Sequence, residues 1–273
     1  NLRNDFNYNS SFTTFRQEMN LRGFSRPPSN RIFIIYKFLE YSQKSPRDVN
    51  YSDVKGYLET LIVSRKSSST INLAYSALYF YFGRVLRRKF FVHIPRVKKE
   101  KKLPVVLTRE EVLQILGVVT NVKHKLILAT MYSSVSDFEV VDLKVCDLDL
   151  ENRILTVRQS KGKKYRTTVI SEKLADVLKK YNKDGWMLVF ESDYGGCLTT
   201  RTVQGIFHDA LRKTGIKKEA TCHSLRHSFA THLLESGTDI CYIQELLGHN
   251  NVATTQIYTK VTNYGLKNIK SPL

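Results

Sequence analysis

Near the C-terminus two helix-length segments, Ser224–Ser236 and Asp239–Leu247, are each halted by a glycine, Gly237 and Gly248. Glycine takes the left-handed conformation that ends a helix without a side-chain clash. The chain must therefore make two short helices with a tight turn between them, which fixes where their chemistry sits. His223 and Arg226 are three apart, so on a helix they share one face. His249 follows the second glycine directly, in Leu247-Gly248-His249, and Tyr258 comes nine residues later. A phenolic oxygen can attack phosphorus, a guanidinium can hold two non-bridging oxygens, and imidazoles can move protons. The set suits chemistry at a phosphodiester.

Charge points the same way. The 273 residues carry a formal net charge of +18. Such a surface attracts nucleic acid, acidic proteins or anionic membranes. The basic residues run the length of the chain and no long apolar run accompanies them, which favours nucleic acid. No segment approaches the ~20 apolar residues that span a bilayer, and Asn1 to Gln17 lack a signal-peptide core. The expectation is a cytoplasmic, nucleoid-associated protein with no membrane partner. The four cysteines, Cys146, Cys197, Cys222 and Cys241, show no paired spacing and read as reduced thiols. Cys222, His223, His227, His232 and Cys241 lack the spacing of a zinc site, so no metal is expected.

Periodicity predicts a mainly α protein with a small antiparallel β-sheet. Helices are expected at Phe12–Leu21, Arg31–Ser42, Tyr51–Val63 beneath Ser52 or Asp53 as cap, and Thr70–Arg88. These would form a bundle over residues 1–95. A basic run follows: Arg84, Arg87, Arg88 and Lys89, then Arg96, Lys98, Lys99, Lys101 and Lys102, opposed only by Glu100. Pro95 and Pro104 bracket its second half, so residues 96–104 read as an extended linker whose cations meet phosphates. Residues 105–273 read as a second domain with a C-terminal tail. It opens on a capping box, Thr108 to Glu111. A helix is expected at Lys123–Tyr132. Strands are expected around Ile154–Val157, at Thr167–Ile170 and at Leu188–Phe190, with Gly162 at a hairpin tip. Helices resume at Thr200–Lys213.

The segment His223-Ser-Leu-Arg-His-Ser-Phe-Ala-Thr-His-Leu-Leu-Glu-Ser-Gly237 resembles the signature helix of the tyrosine recombinases, in particular the Xer and archaeal Xer-like integrases. Ile243-Gln-Glu-Leu-Leu-Gly-His249 and Thr254-Thr-Gln-Ile-Tyr-Thr259 match the same family, and the likeness covers the whole second domain. The first domain is compatible with the family's helical core-binding domain. The resemblance implies that Tyr258 attacks a DNA phosphate to form a 3′-phosphotyrosyl link. Arg226 would clamp the non-bridging oxygens, His223 would exchange a proton with the Tyr258 hydroxyl, and His249 would donate to the phosphate. Lys161 on the hairpin tip would protonate the departing 5′ oxygen, with Lys163 and Lys164 as competitors for that role. His227 and His232 are assigned to packing or DNA contact. The family's partners are duplex DNA and further protomers: a homo-oligomeric dimer of dimers, or a related recombinase, exchanging strands through a Holliday junction. No cofactor is implied.

One stretch departs from the family. Where Gly-Leu-Arg-x-Ser-Glu is usual, the chain reads Ser134-Val135-Ser136-Asp137-Phe138-Glu139 and is one residue short between Tyr132 and Leu143. Anchored on Glu139 and Leu143, Ser136 falls where the first arginine belongs. A guanidinium on a transferring phosphoryl group is worth about 10³–10⁵ in rate, so cleavage is expected to be impaired. Two alternatives stay open: a catalytically inactive DNA-binding member acting as regulator or partner, and a basic helical transcription regulator.

Overall fold

A computed structural model describes residues 17, 29–89, 94, 96–98, 103–158, 165–181, 187–193 and 195–260. The chain divides into two compact units, Asn1–Lys101 and Lys102–Leu273. The expected helix Phe12–Leu21 lies outside the described residues except for Gln17, as do the hairpin tip at Gly162 and the tail beyond Lys260.

In the first unit α1 (Ser29–Ser42), α2 (Tyr51–Val63) and α3 (Ser68–Leu78) pack around a core that includes Ile35, Phe38, Val54, Leu78 and Phe82. The cap of α2 is Asn50, not Ser52 or Asp53. Its side chain accepts from the Asp53 backbone N–H at 3.1 Å, and the Asp53 carboxylate accepts from the Asn50 N–H at 2.9 Å. Asp53 thus sits inside the helix as the reciprocal half of the box. The single helix expected over Thr70–Arg88 starts earlier, under Ser67, and stops being α-helical at Leu78. Tyr79–Val85 is a π-helical turn. Its wider winding admits consecutive aromatics to the core: Phe80, Tyr81 and Phe82 are all buried, and Phe82 meets Phe38 edge-on at 5.6 Å.

The second unit opens with the expected box: Thr108 accepts from the Glu111 N–H and Glu111 from the Thr108 N–H, capping α4 (Arg109–Gly117). Then come α5 (Val122–Met131) and the one-turn α6 (Asp137–Val140). The sheet is antiparallel in sequence order: β1 (Leu148–Asp149), β2 (Ile154–Arg158) and β3 (Tyr165–Val169). The third strand is therefore Leu148–Asp149 and not Leu188–Phe190. The latter run bonds backbone to backbone with residues 143–145 instead, Val189 N–H to Leu143 O at 2.9 Å. Alternation along β3 turns Arg166 and Thr168 inward. Four helices complete the unit: α7 (Glu172–Tyr181), which the periodicity reading passed over, α8 (Thr200–Thr214), α9 (Cys222–Glu235) and α10 (Ile240–Leu247). Gly237 and Gly248 take φ of 87° and 66°, the left-handed stops that the sequence required. A short α11 (Val252–Thr255) and a 3₁₀ turn at Tyr258–Lys260 follow.

Candidate active site

α9 starts beneath Thr221, which accepts the N3 backbone N–H, and so carries His223, Arg226 and His227 along one face. The Gly237 turn folds α10 back against α9, and the Gly248 stop delivers His249 beside them. Ala230 of α9, Ile243 and Leu247 of α10 and Tyr258 form one buried cluster. The two glycine stops thus gather residues that the sequence spreads over 36 positions.

Arg226 is mostly buried and donates to the Ser134 carbonyl at 2.7 Å, to Glu139 at 3.5 Å and to the Leu247 carbonyl. Arg166, from the inner face of β3, donates through one nitrogen to those first two acceptors, Ser134 O at 2.9 Å and Glu139 Oε2 at 2.8 Å. Ser136 caps α6 and gives Glu139 Oε2 two more donors, its N–H at 2.8 Å and its hydroxyl at 2.7 Å. Glu139 is therefore the buried anion between two guanidiniums. Burial lowers the Arg166 guanidinium to about 10, with Glu139 opposing the shift and Arg226 adding to it. Burial also lowers Arg226, again against Glu139. Both remain charged at neutral pH. β3 is moored to the same turn by Thr168, whose hydroxyl donates to Ser133 O at 2.9 Å and accepts from Ser134 at 2.8 Å.

Tyr258 is 1% exposed. Its hydroxyl lies 2.9 Å from Nδ1 of His227. The imidazole that meets the phenol is thus one that the sequence reading gave to packing or DNA contact. His223, expected in that place, is exposed, and its ring meets His227 edge-on with centroids 6.0 Å apart. Burial, reinforced by His223, Arg226 and His249, lowers His227 to about 4. At neutral pH it is uncharged and its ring can pair with the phenolic hydroxyl. Burial raises Tyr258, with Arg226 pulling the other way. His249 hydrogen-bonds Thr255 through Nδ1 at 2.9 Å, and burial followed by Arg226 and Arg166 lowers it to about 4. His232 does serve packing: its Nδ1 lies 2.6 Å from the Tyr132 hydroxyl.

The structure thus brings Tyr258, Arg226 and His249 into one neighbourhood, with His223 at its edge. Lys161 lies outside the described residues, as do Lys99, Lys101 and Lys102. Of the expected phosphate contacts that are described, Arg84 and Arg96 sit over the rings of Tyr79 and Tyr75, at 5.9 and 5.2 Å. Arg88 ties the end of the π-helical segment to the α1–α2 loop by donating to the Arg47 and Val49 carbonyls. That is a structural use. Arg87, Lys89 and Lys98 are exposed. Sequence reasoning passed over Arg166 and gave His227 to packing or DNA contact. His227 was open to discovery, being four residues after His223 on the same face.

Comparison with known proteins places this geometry in a class. The profile of the phage integrase family matches residues 91–264, and that of the phage integrase N-terminal SAM-like domain matches residues 12–90. The chain belongs to the phage integrase family, the DNA strand-exchanging tyrosine recombinases. It is 36% identical over 265 residues to tyrosine recombinase XerA of Thermococcus kodakarensis, covering 93% of this chain and 92% of that one. To XerA of Pyrococcus furiosus it is 38% identical over 246 residues, covering 86% and 83%. Among solved structures, an XerA recombinase crystal structure aligns over 96% of this chain and 99% of that one at 27% identity, TM-score 0.57. A lambda integrase dimer bound to a COC′ core site aligns over 97% and 98% at 20% identity, TM-score 0.75, a likeness of fold. Among the described residues no helix is long and apolar enough to cross a membrane.

Proposed function

We propose that this chain is a site-specific recombinase that cleaves and rejoins duplex DNA through Tyr258. The observation that carries the reading is the Tyr258 hydroxyl held on a neutral imidazole beside a buried guanidinium. The Tyr258 oxygen attacks phosphorus as its proton passes to an imidazole, His227 in the resting arrangement or His223 once DNA is bound. The bond from phosphorus to the 5′ oxygen breaks, and Lys161 protonates that oxygen as it leaves. The product is a 3′-phosphotyrosyl link and a free 5′ hydroxyl. Arg226 and His249 hold the non-bridging oxygens while charge builds. A 5′ hydroxyl from a second duplex reverses the step, so the phosphodiester energy is kept and no nucleotide cofactor is needed. Two pairs of protomers on two sites would pass strands through a Holliday junction.

Ser136 stands where the family's first arginine is expected. Ser134 is consistent with that register, since its φ of 72° is a left-handed conformation that glycine adopts most readily. If no other guanidinium took its place, the loss would raise the barrier by roughly 4–7 kcal/mol. That observation favours a second reading, a DNA-binding member that cleaves poorly and acts with an active relative.

A pool of nicked duplexes of randomised sequence tests both. The nick lets the short 5′ product diffuse away and traps the covalent complex. The first reading expects a protein–DNA band on denaturing electrophoresis that Tyr258→Phe abolishes while native gel-shift affinity is kept. Binding without a band supports the second reading. A band that survives Tyr258→Phe moves the nucleophile elsewhere, Tyr264 first.

A further inference from the structure

We infer that Arg166 supplies the second guanidinium at the scissile phosphate, in the place left empty by Ser136. The inference rests on the strand-cleaving reading above and names a residue outside the set that the family resemblance implies.

Three observations carry it. First, Arg166 and Arg226 converge on the same two acceptors, the Ser134 carbonyl and Glu139. Two guanidiniums sharing both acceptors are neighbours, and they flank the Ser134–Ser136 turn where the missing arginine would begin. Second, Arg166 is 7% exposed, and its Nε and Nη1 are buried with no hydrogen-bond partner. Buried donors left without a partner are costly, so natural sites keep few of them without a reason. Nη2 is consumed by protein. Nε–H and Nη1 lie on either side of Nη2, with Cδ between them on the remaining flank, so each offers a separate donor to an entering phosphate. Third, Arg166 lines a cavity of about 540 Å³ together with Gly248, His249 and Asn250 at the end of α10. The cavity therefore adjoins the imidazole expected to contact phosphate.

Charge agrees with this arrangement. Two guanidiniums share the Glu139 carboxylate, which leaves net positive charge at that cluster, while Glu245 also lines the cavity. Their like charges, each felt at His249 as well, are relieved by a phosphodiester anion. The position differs from the family's pattern in one respect. The second cation arrives from β3 and not from the turn before α6, so it follows Lys161 by five residues on the same hairpin. The β2–β3 segment would then carry both the acid and half of the clamp.

The test uses the duplex recovered from the nicked pool, made with either a phosphodiester or a methylphosphonate at the cleaved position. A methyl in place of one non-bridging oxygen removes the charge that a clamp neutralises. Arg166→Gln is expected to slow single-turnover adduct formation on the phosphodiester by about 10²–10³-fold, the usual loss for one such donor. On the methylphosphonate it is expected to change the rate only a few-fold. Equal slowing on both backbones makes Arg166 a support of the fold alone and overturns the inference, as does no slowing on either. Should Arg166→Gln fail to fold, Arg166→Lys keeps the charge opposite Glu139 but loses the fork, and the same backbone comparison decides. A wild-type chain that forms no adduct overturns the strand-cleaving reading and this inference together.

Discussion

Among the described residues Glu139 is the carboxylate hydrogen-bonded to Arg166 and Arg226, and it accepts from both as well as from Ser136. Removing it leaves two buried positive charges without a counter-ion. Glu139→Ala should cost roughly 3–5 kcal/mol, and Glu139→Gln less because an acceptor oxygen remains; urea denaturation at neutral pH measures both. The imidazoles make a prediction of opposite kind. His227 and His249 are held near 4 in the fold against 6.5 outside it. Above pH 6.5 both states carry them neutral. As pH falls toward 4 the unfolded chain takes up protons that the fold refuses, so stability falls across that window. His227→Gln should flatten the decline in urea midpoint between pH 6.5 and 4; an unchanged slope would mean that His227 titrates normally. At this scale the sequence showed His223, Arg226, His249 and Tyr258, because helix spacing and glycine stops are local signals. Arg166 was hidden because its meaning depends on pairing with residues 134 and 139, some thirty positions away, which no periodicity encodes.

The helix ends show how far local chemistry carries. Tyr51–Val63 is bounded as periodicity predicts, yet its cap lies two residues before Ser52 and three before Asp53, because Asn50 and Asp53 complete each other. Asn50→Ala removes the acceptor for the Asp53 N–H and should lower the stability of the first unit by about 1 kcal/mol, read as a shift in its thermal transition. The strand at Leu188–Phe190 was misassigned for a different reason. Its Leu-Val-Phe composition fits a strand, and its residues are indeed well buried at 189 and 190, but the sheet edge was already closed by Leu148–Asp149 through a turn with Arg153 at φ 59°. Composition reports burial; which edge a segment joins is decided by connection length and turn geometry. The π-helical turn was likewise beyond periodicity. A run of four aromatics reads as helix, and only the need to bury Phe80, Tyr81 and Phe82 together forces the wider winding.

For the molecule as a whole, the mostly helical fold with a small antiparallel sheet is the one periodicity predicts, and the two family profiles meet at residues 90 and 91. DNA affinity should be governed by counterion release, with log K falling against log salt by about 0.9 per phosphate contact. Changing Lys98, Lys99, Lys101 and Lys102 to Ala should flatten that slope by up to about 4 units. A slope that does not move takes these four lysines off the DNA. The tail offers a separate test. Ending the chain at Lys260 removes Leu266, Ile269 and Leu273. Binding to a single half-site should survive, while assembly of two protomers on one duplex should weaken in a gel-shift titration.

If Tyr258 is the nucleophile, as proposed, its 1% exposure has a consequence for how often any molecule is armed. Withdrawing an aromatic ring from a core and breaking its hydrogen bond to His227 costs on the order of 2–4 kcal/mol. Free protein would then hold its phenol outward in roughly a few per cent to 0.1 per cent of molecules at any instant. Stray contact with DNA rarely coincides with that minority state, so most encounters end in dissociation without a cut. A bound site must contribute the missing free energy, and its apparent affinity for the armed form is reduced by the same fraction. Fidelity in such a protein begins with scarcity of the nucleophile, before any base is read.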